Sequence, residues 1–436
     1  MDCVNDPNCD SDSTFPEYEV PNVITNWPAS HFDFDGTNEY LAPFIDVDGD
    51  GEYNNSDYPG YDLNGIGNCA EEDYLFGDQS IWWVFNDAGG AHGETGGAAI
   101  GVEIQAQAFA YKTNDELSDM TFYNYKIINR STETLNDTYF GQWVDPDIGN
   151  YEDDYVGCDV DLGLGYCYNG DDDDNGLQGS AGYGTNPPSI GVDFFKGPLA
   201  DANDGIDNDR DGEIDEVGEQ IIMSKFVYYN NTAWDTDEYT WNNDPVMDVD
   251  YYNYLRGVWT NGQPMTYGGN GGVEGNPECD FMFPGDTDPN FDEIWNETTA
   301  GNIPSDRRFL QSAGPFTLEP GAVNYITVGV VWARGNDGPL SSVNAMKDAD
   351  IMAQNLFDNC FDISYFIYGC TCDFATNYNP DANTDDNSCI FADGLNVIDC
   401  EIAGCTCEDA INFDADAETD DDSCLFPDDI YVDCDG

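Results

Sequence analysis

Positive charge is the scarcest commodity in this 436-residue chain, where 11 Lys plus Arg stand against 88 Asp plus Glu for a formal net charge of −77. Nucleic acids and anionic membrane surfaces are recognised by clustered Lys and Arg, so neither is expected as a partner. Histidine is almost as rare: only His31 and His92 occur, and Ala91-His92-Gly93 reads as part of a glycine-rich loop. There is no Gly-x-Ser-x-Gly, no phosphate loop and no His-Glu-x-x-His,. Carboxylate pairs suited to glycoside hydrolysis are everywhere and so carry no information, and no catalytic residue is assigned. No run of about 18 apolar residues exists, so no membrane insertion is expected. The opening Met-Asp-Cys-Val-Asn-Asp has neither the basic nor the apolar stretch of a signal peptide, and the chain is expected to be a processed piece of an exported protein,.

What is present argues for a folded object. Hydrophobic residues make up 40% and aromatics 14% of the chain, enough for a sizeable core and unlike a solvating acidic tail,. The length suggests roughly two to four domains. Strand signals dominate the middle of the chain: Ser80–Phe85, Ala98–Lys112, Met120–Asn129, Thr138–Val144, Tyr155–Tyr168, Ile190–Phe195, Gln220–Tyr229 and Val323–Ala333. Period-two alternation with Gly, Asn and Asp turns between predicts a mainly β fold, an antiparallel sandwich over residues 31–360. One helix is expected over Leu340–Phe357, with Val343, Met346, Ile351, Leu356 and Phe357 on one stripe. Residues 1–30 read as an extended arm that either lies on its own domain or completes a neighbour's sheet. Beyond Cys360 the chain repeats itself at an offset of 35: residues 361–400 and 401–436 share Gly-Cys-Thr-Cys and Thr-Asp-Asp-x-Ser-Cys.

Two acidic stretches carry the clearest chemistry. In the first, Asp46, Asp48 and Asp50 fall at positions 1, 3 and 5 of a twelve-residue calcium loop, with Gly51 at 6, Glu52 at 7, Asn54 at 9 and Asp57 at 12,. Oxygens on alternate residues followed by a sharp glycine turn are what a hard cation needs, because six or more must surround one point. In the second, Asp207, Asp209, Asp211, Gly212, Glu213 and Asp215 repeat the pattern, but position 12 is Gly218. Glu216, or the upstream Asp201, Asn203 and Asp204, is expected to complete that shell. The spacing is similar to thrombospondin type 3 repeats. A third acidic run, Asp171–Asp174, reads equally as a solvated loop. All-oxygen ligand sets on flexible loops favour Ca2+ over magnesium.

Fifteen cysteines, eight of them in the last 67 residues, suggest an oxidising compartment,. In the tail, Cys370, Cys372, Cys389, Cys400, Cys405, Cys407, Cys424 and Cys434 are expected in disulfides, with four-thiolate zinc as the alternative. Cys158 with Cys167 is a candidate local bridge. Asn54, Asn129, Asn136, Asn230 and Asn296 each begin Asn-x-Ser/Thr and are candidate glycosylation sites,. Trp82-Trp83 offers a surface for a sugar ring, although in a strand one of the two points inward.

Several stretches resemble large secreted proteins of Bacteroidota associated with type IX secretion. They include Tyr40-Leu-Ala-Pro-Phe-Ile-Asp-Val-Asp-Gly-Asp-Gly, Trp82-Trp-Val-Phe-Asn-Asp, Met120-Thr-Phe-Tyr-Asn-Tyr-Lys-Ile-Ile-Asn-Arg and Ile190-Gly-Val-Asp193. The tail resembles the Gly-Cys-Thr…Asn-Tyr-Asn-Pro-x-Ala…Asp-Asp-x-Ser-Cys repeats of the same group. Asp12-Ser13-Thr14 and Asp137-Thr138-Tyr139 resemble the short sites that group glycosylates on oxygen. The resemblance implies an exported, extracellular or cell-surface protein. Together with the residues it leads to the expectation of a calcium-stabilised structural subunit, a homopolymer of copies of itself. The alternatives are an adhesin for surface glycans and, behind it, a glycan-active enzyme.

Overall fold

The computed structural model describes residues 20–29, 31–32, 38–39, 41–54, 56–60, 76–177, 181–215, 217–230, 241–386, 388–392, 397–398, 400–405, 410–411, 413, 419–420 and 424–425. The chain divides into two compact units, residues 1–361 and 362–436. In the first unit the main strands are β1 (Gln79–Asn86), β2 (Val102–Ala110), β3 (Met120–Asn129), β4 (Leu135–Val144), β5 (Asp154–Asp159), β6 (Leu164–Asn169), β7 (Ser189–Lys196), β8 (Lys225–Asn230), β9 (Arg307–Leu318) and β10 (Val323–Ala333). Among the described residues the helices of eight or more residues are α1 (Asp248–Leu255) and α2 (Gly338–Asp358).

Seven strands form an antiparallel sheet in the order β1-β2-β3-β10-β7-β6-β5, and three form a second in the order β8-β9-β4. Alternation along each strand sends one set of side chains to each face. On one face Ile127, Val192, Phe194, Ile326 and Val328 of the large sheet share a core with Phe226, Phe309 and Ala313 of the small one. The opposite face lies under α2, where Phe122 sits 5.2 Å from Phe361 and Phe195 stacks 6.1 Å from Phe357. A Cβ on Gly191 would come within 2.4 Å of Met346 Sδ, so the helix lies close on that strand. This is the expected mainly β antiparallel architecture.

Tyr155–Tyr168 is two strands, β5 and β6, joined by a turn at Gly163, and both are buried throughout because both sheet faces are covered. β9 went unpredicted. Its Gly314-Pro315 interrupts a strand pattern, and its register against β4 does shift between Ala313 and Phe316,. The helix buries Val343, Met346, Leu356 and Phe357 as expected, but Ile351 faces outward and Asp350 inward. In the arm, Asn22–Thr25 is a short helical turn rather than extended chain; residues 1–19, Ser13 among them, lie outside the described residues.

Cys158 and Cys167 do not bridge. Both are buried free thiols. Cys158 lies opposite Gly165 and Cys167 opposite Val156, a diagonal pair. Diagonal neighbours stand about 7–8 Å apart, too far for a disulfide.

The second unit is held by Cys370–Cys389, Cys372–Cys400 and Cys405–Cys424. Disulfides, not thiolate zinc, therefore occupy these cysteines; Cys407 and Cys434 lie outside the described residues. The repeat is structural as well as sequential. Tyr368 and Gly369 pair in parallel with Thr384 and Asp385, and 35 residues later Ala403 and Gly404 pair with Thr419 and Asp420. Thr376 N–H donates to Ile390 O at 2.7 Å, and Ile411 N–H to Leu425 O at the same distance.

Candidate metal centres

The two acidic loops share one hydrogen-bond plan. At position 6 the Gly51 amide donates to Asp46 Oδ2 at 2.7 Å, and the Gly212 amide to Asp207 Oδ2 at 3.1 Å. At position 5 the Asp50 amide donates to Asp48 Oδ1, and the Asp211 amide to Asp209 Oδ1, both at 3.3 Å. At position 7 the Glu52 amide donates to Asp50 Oδ1, and the Glu213 amide to Asp211 Oδ1, both at 2.8 Å. Positions 4 and 6 have positive φ in each loop: Gly49 and Gly51 at 72° and 78°, Arg210 and Gly212 at 59° and 96°. Such a backbone winds carboxylates inward around a common point.

The loops close differently. In the first, buried Asp57 accepts from the Val47 amide at position 2 (2.9 Å) and from the Asn54 amide (2.8 Å). Oxygens from Asp46, Asp48 and Asp57 lie within 4.8 Å of one another. In the second, Glu219 takes the part of Asp57. It is buried, it accepts from the position-2 amide of Asn208, and it gathers with Asp207 and Asp209 within 4.8 Å. One extra residue in the loop is matched by one extra methylene in the side chain. The Gly218 gap is therefore filled from position 13.

Asp201 does not complete that shell: both its carboxylate oxygens accept from Thr317, the amide at 2.8 Å and the hydroxyl at 2.6 Å. Asn203 is exposed with φ of 65°, and Asp215 accepts from the Gly205 amide at 2.9 Å. Glu216 lies outside the described residues. The side chains of Glu52 and Glu213 are exposed, leaving their backbone carbonyls as the donors the loop pattern calls for,. Asn54 donates from Nδ2 to Asp48 Oδ2 at 3.1 Å, and Ser56 Oγ does so at 3.0 Å. Those two bonds hold the Asp48 carboxyl below the ordinary carboxylate range.

Each loop is anchored at its base. Phe44–Ile45 pairs with Tyr58–Pro59 at the ends of the first. The second is pinned by Arg210, whose guanidinium donates to Val160 O (3.2 Å) and Met223 O (2.6 Å) and lies 5.2 Å over the Phe281 ring. No protein-family model matches the chain, and no curated protein matches it. The residues alone carry the assignment. Two carboxylates about 4 Å apart repel by about 1 kcal/mol in water and about 4 kcal/mol near a protein surface. The chain has no Lys or Arg before Lys112, so nothing nearby in sequence neutralises the first loop. Both loops bring together carboxylates that could hold a cation.

A third acidic group, Asp145, Asp147 and Asp306, also converges within 4.8 Å. There the positive charge is already present, because Arg308 reaches Asp145 at 3.1 Å and Asp306 at 3.6 Å.

The glycosylation candidates fall in unequal settings. Asn129 is wholly buried and donates to Glu133 O and Leu318 O, so the folded protein offers no acceptor there. Asn296 caps a helical turn through the Thr299 amide, Asn230 accepts from Arg307, and Asn54 is spent in the first loop. Asn136 is exposed on β4, where Thr138 is half-buried.

Proposed function

We propose that the chain is a structural subunit of an extracellular filament or cell-surface matrix, with calcium in its two acidic loops and copies joined by strand pairing. One observation carries this reading. β1 ends the large sheet, and among the described residues it pairs only with β2. It runs eight residues without a register shift and contains no Lys, Pro or acid, in a chain that is 23% charged. Ile81, Val84 and Phe85 are exposed along it. Edge strands of this kind template pairing with another chain, and proteins that stay apart usually block them with charge, proline or bulges. Calcium follows from ligands that are all oxygen, several carboxylates to a loop. The sequence resemblance to exported Bacteroidota proteins agrees with an extracellular setting.

The test is to place a charge on the edge. Ile81→Lys and Val84→Lys should leave melting temperature in calcium unchanged while abolishing filaments in electron micrographs and leaving monomers in sedimentation velocity. Filaments of either variant indistinguishable from wild type would end this reading.

A shallow depression on the large sheet favours a second reading. Trp82, Tyr125 and Tyr325 line it with Gln105, Gln107 and Lys126, aromatic faces beside amide groups as a sugar requires,. A monodisperse chain that binds immobilised glycans and loses them on Trp82→Ala would identify an adhesin instead.

A further inference from the structure

At the open end of the β5–β6 hairpin three side chains each keep one oxygen without a donor. Asp154 and Asn169 are direct cross-strand partners, so their side chains leave the sheet on the same face,. Both are buried, Asp154 with 2% and Asn169 with none of its surface exposed. Asp153 precedes Asp154, at the end of a short 3-10 turn. Every other polar atom of the three is fixed. Asp154 Oδ2 accepts from the Ile148 amide (3.1 Å), Asp153 Oδ2 from Asn150 Nδ2 (2.7 Å), and Asn169 Nδ2 donates to Asp171 O (2.9 Å). The Oδ1 atoms of Asp153, Asp154 and Asn169 are buried and have no hydrogen-bond partner.

A lone acidic cluster would not point to a ligand, because a buried carboxyl can take up a proton. An amide oxygen cannot, and needs a proton donor or a cation within reach. The bond from Nδ2 to Asp171 also fixes which end of the Asn169 amide is the unpartnered oxygen,. We infer that Asp153, Asp154 and Asn169 form a third cation site, separate from both acidic loops, which takes a hard divalent ion of the calcium class through its all-oxygen ligands. Each ligand is oriented through its other polar atom, the way supporting hydrogen bonds aim metal ligands elsewhere. Asp174 adds buried negative charge beside the site, with its two oxygens held by the Asn150 and Tyr183 amides. Burial, and then neighbouring carboxylates, push the Asp154 carboxyl above its ordinary range when no ion is bound. The inference does not depend on filament assembly or on the loops being filled.

The experiment is calcium stoichiometry on the full chain, stripped with chelator and re-equilibrated with calcium alone. Asp154→Asn and Asn169→Leu should each bind one equivalent fewer than wild type. Unchanged stoichiometry in both single variants overturns the site, whatever the loops do. Should neither variant fold, Asn169→Asp decides: a third carboxylate must tighten one calcium severalfold, and an unchanged affinity overturns the inference.

Discussion

A carboxyl group packed between a helix and a sheet has no water to ionise into. Asp350 on α2 and Asp193 on β7 are each 1% exposed, and both oxygens of Asp193 and Oδ1 of Asp350 lack a partner. Burial, and after it the charge of Asp159, pushes the Asp350 carboxyl up to about 8. Burial, and then the charge of Asp350, push the Asp193 carboxyl well above its ordinary value. Lys347, on the same helix as Asp350, is bound to Asp159 at 2.7 Å. Below about pH 4 the folded and unfolded chains both hold these protons. As pH rises toward 8 the unfolded chain ionises while the folded one does not, so native stability falls, by at most about 1.4 kcal/mol per pH unit for one group. Asp350→Asn should therefore flatten the decline in denaturant midpoint between pH 5 and 8, measured with calcium present. An identical slope in variant and wild type would contradict it. Nothing in the sequence distinguished Asp350 or Asp193 from the other acids. Glu219 was hidden for a related reason: a twelve-residue template places the closing ligand at Gly218, and a longer side chain one step further does that work.

At the scale of elements, what could be read in advance was periodic. Met120–Asn129 and Val323–Ala333 stand in the structure with the boundaries their alternation suggested, since β-branched and aromatic residues at every second position suit a strand with two packed neighbours,. β9 was invisible because its Gly-Pro lies in a bulge that only the partner strand explains. In the second unit the cysteines were legible as disulfides, since two units of this length cannot bury much apolar surface; among the described residues the buried cluster is Cys370, Cys372 and Ala375,. Each disulfide closing a loop of about 20–30 residues removes roughly 3–4 kcal/mol of chain entropy from the unfolded state. Reduction should consequently strip amide-exchange protection from residues 368–405 while leaving β3, β10 and α2 protected. Uniform loss across both units would contradict this expectation.

The whole molecule carries −77 with its few bases confined between Lys112 and Lys347. Several are already committed, as in the buried Arg307–Glu297 pair at 2.9 Å and the Arg130–Glu103 pair. Self-repulsion on this scale opposes both compaction and association, and divalent ions relieve it far more locally than screening by salt. Removing calcium should lower the melting temperature and expose residues 46–57 and 207–219 to proteolysis, and sodium chloride should restore neither fully. An unchanged melting temperature and protease pattern after chelation would dispose of the metal reading.

The tail has a consequence of another kind. Each copy ties its cysteines at a separation of 19 residues and lays down its own two-residue ladder, repeating what stands 35 residues earlier. Val397–Ile398 at the end of the first copy pairs with Glu401–Ile402 at the start of the second. Each described cross-link nevertheless stays within one copy, so a copy gained or lost leaves those cross-links correctly paired. The length of this appendage is thus a variable that a lineage can adjust in whole steps without redesigning anything upstream.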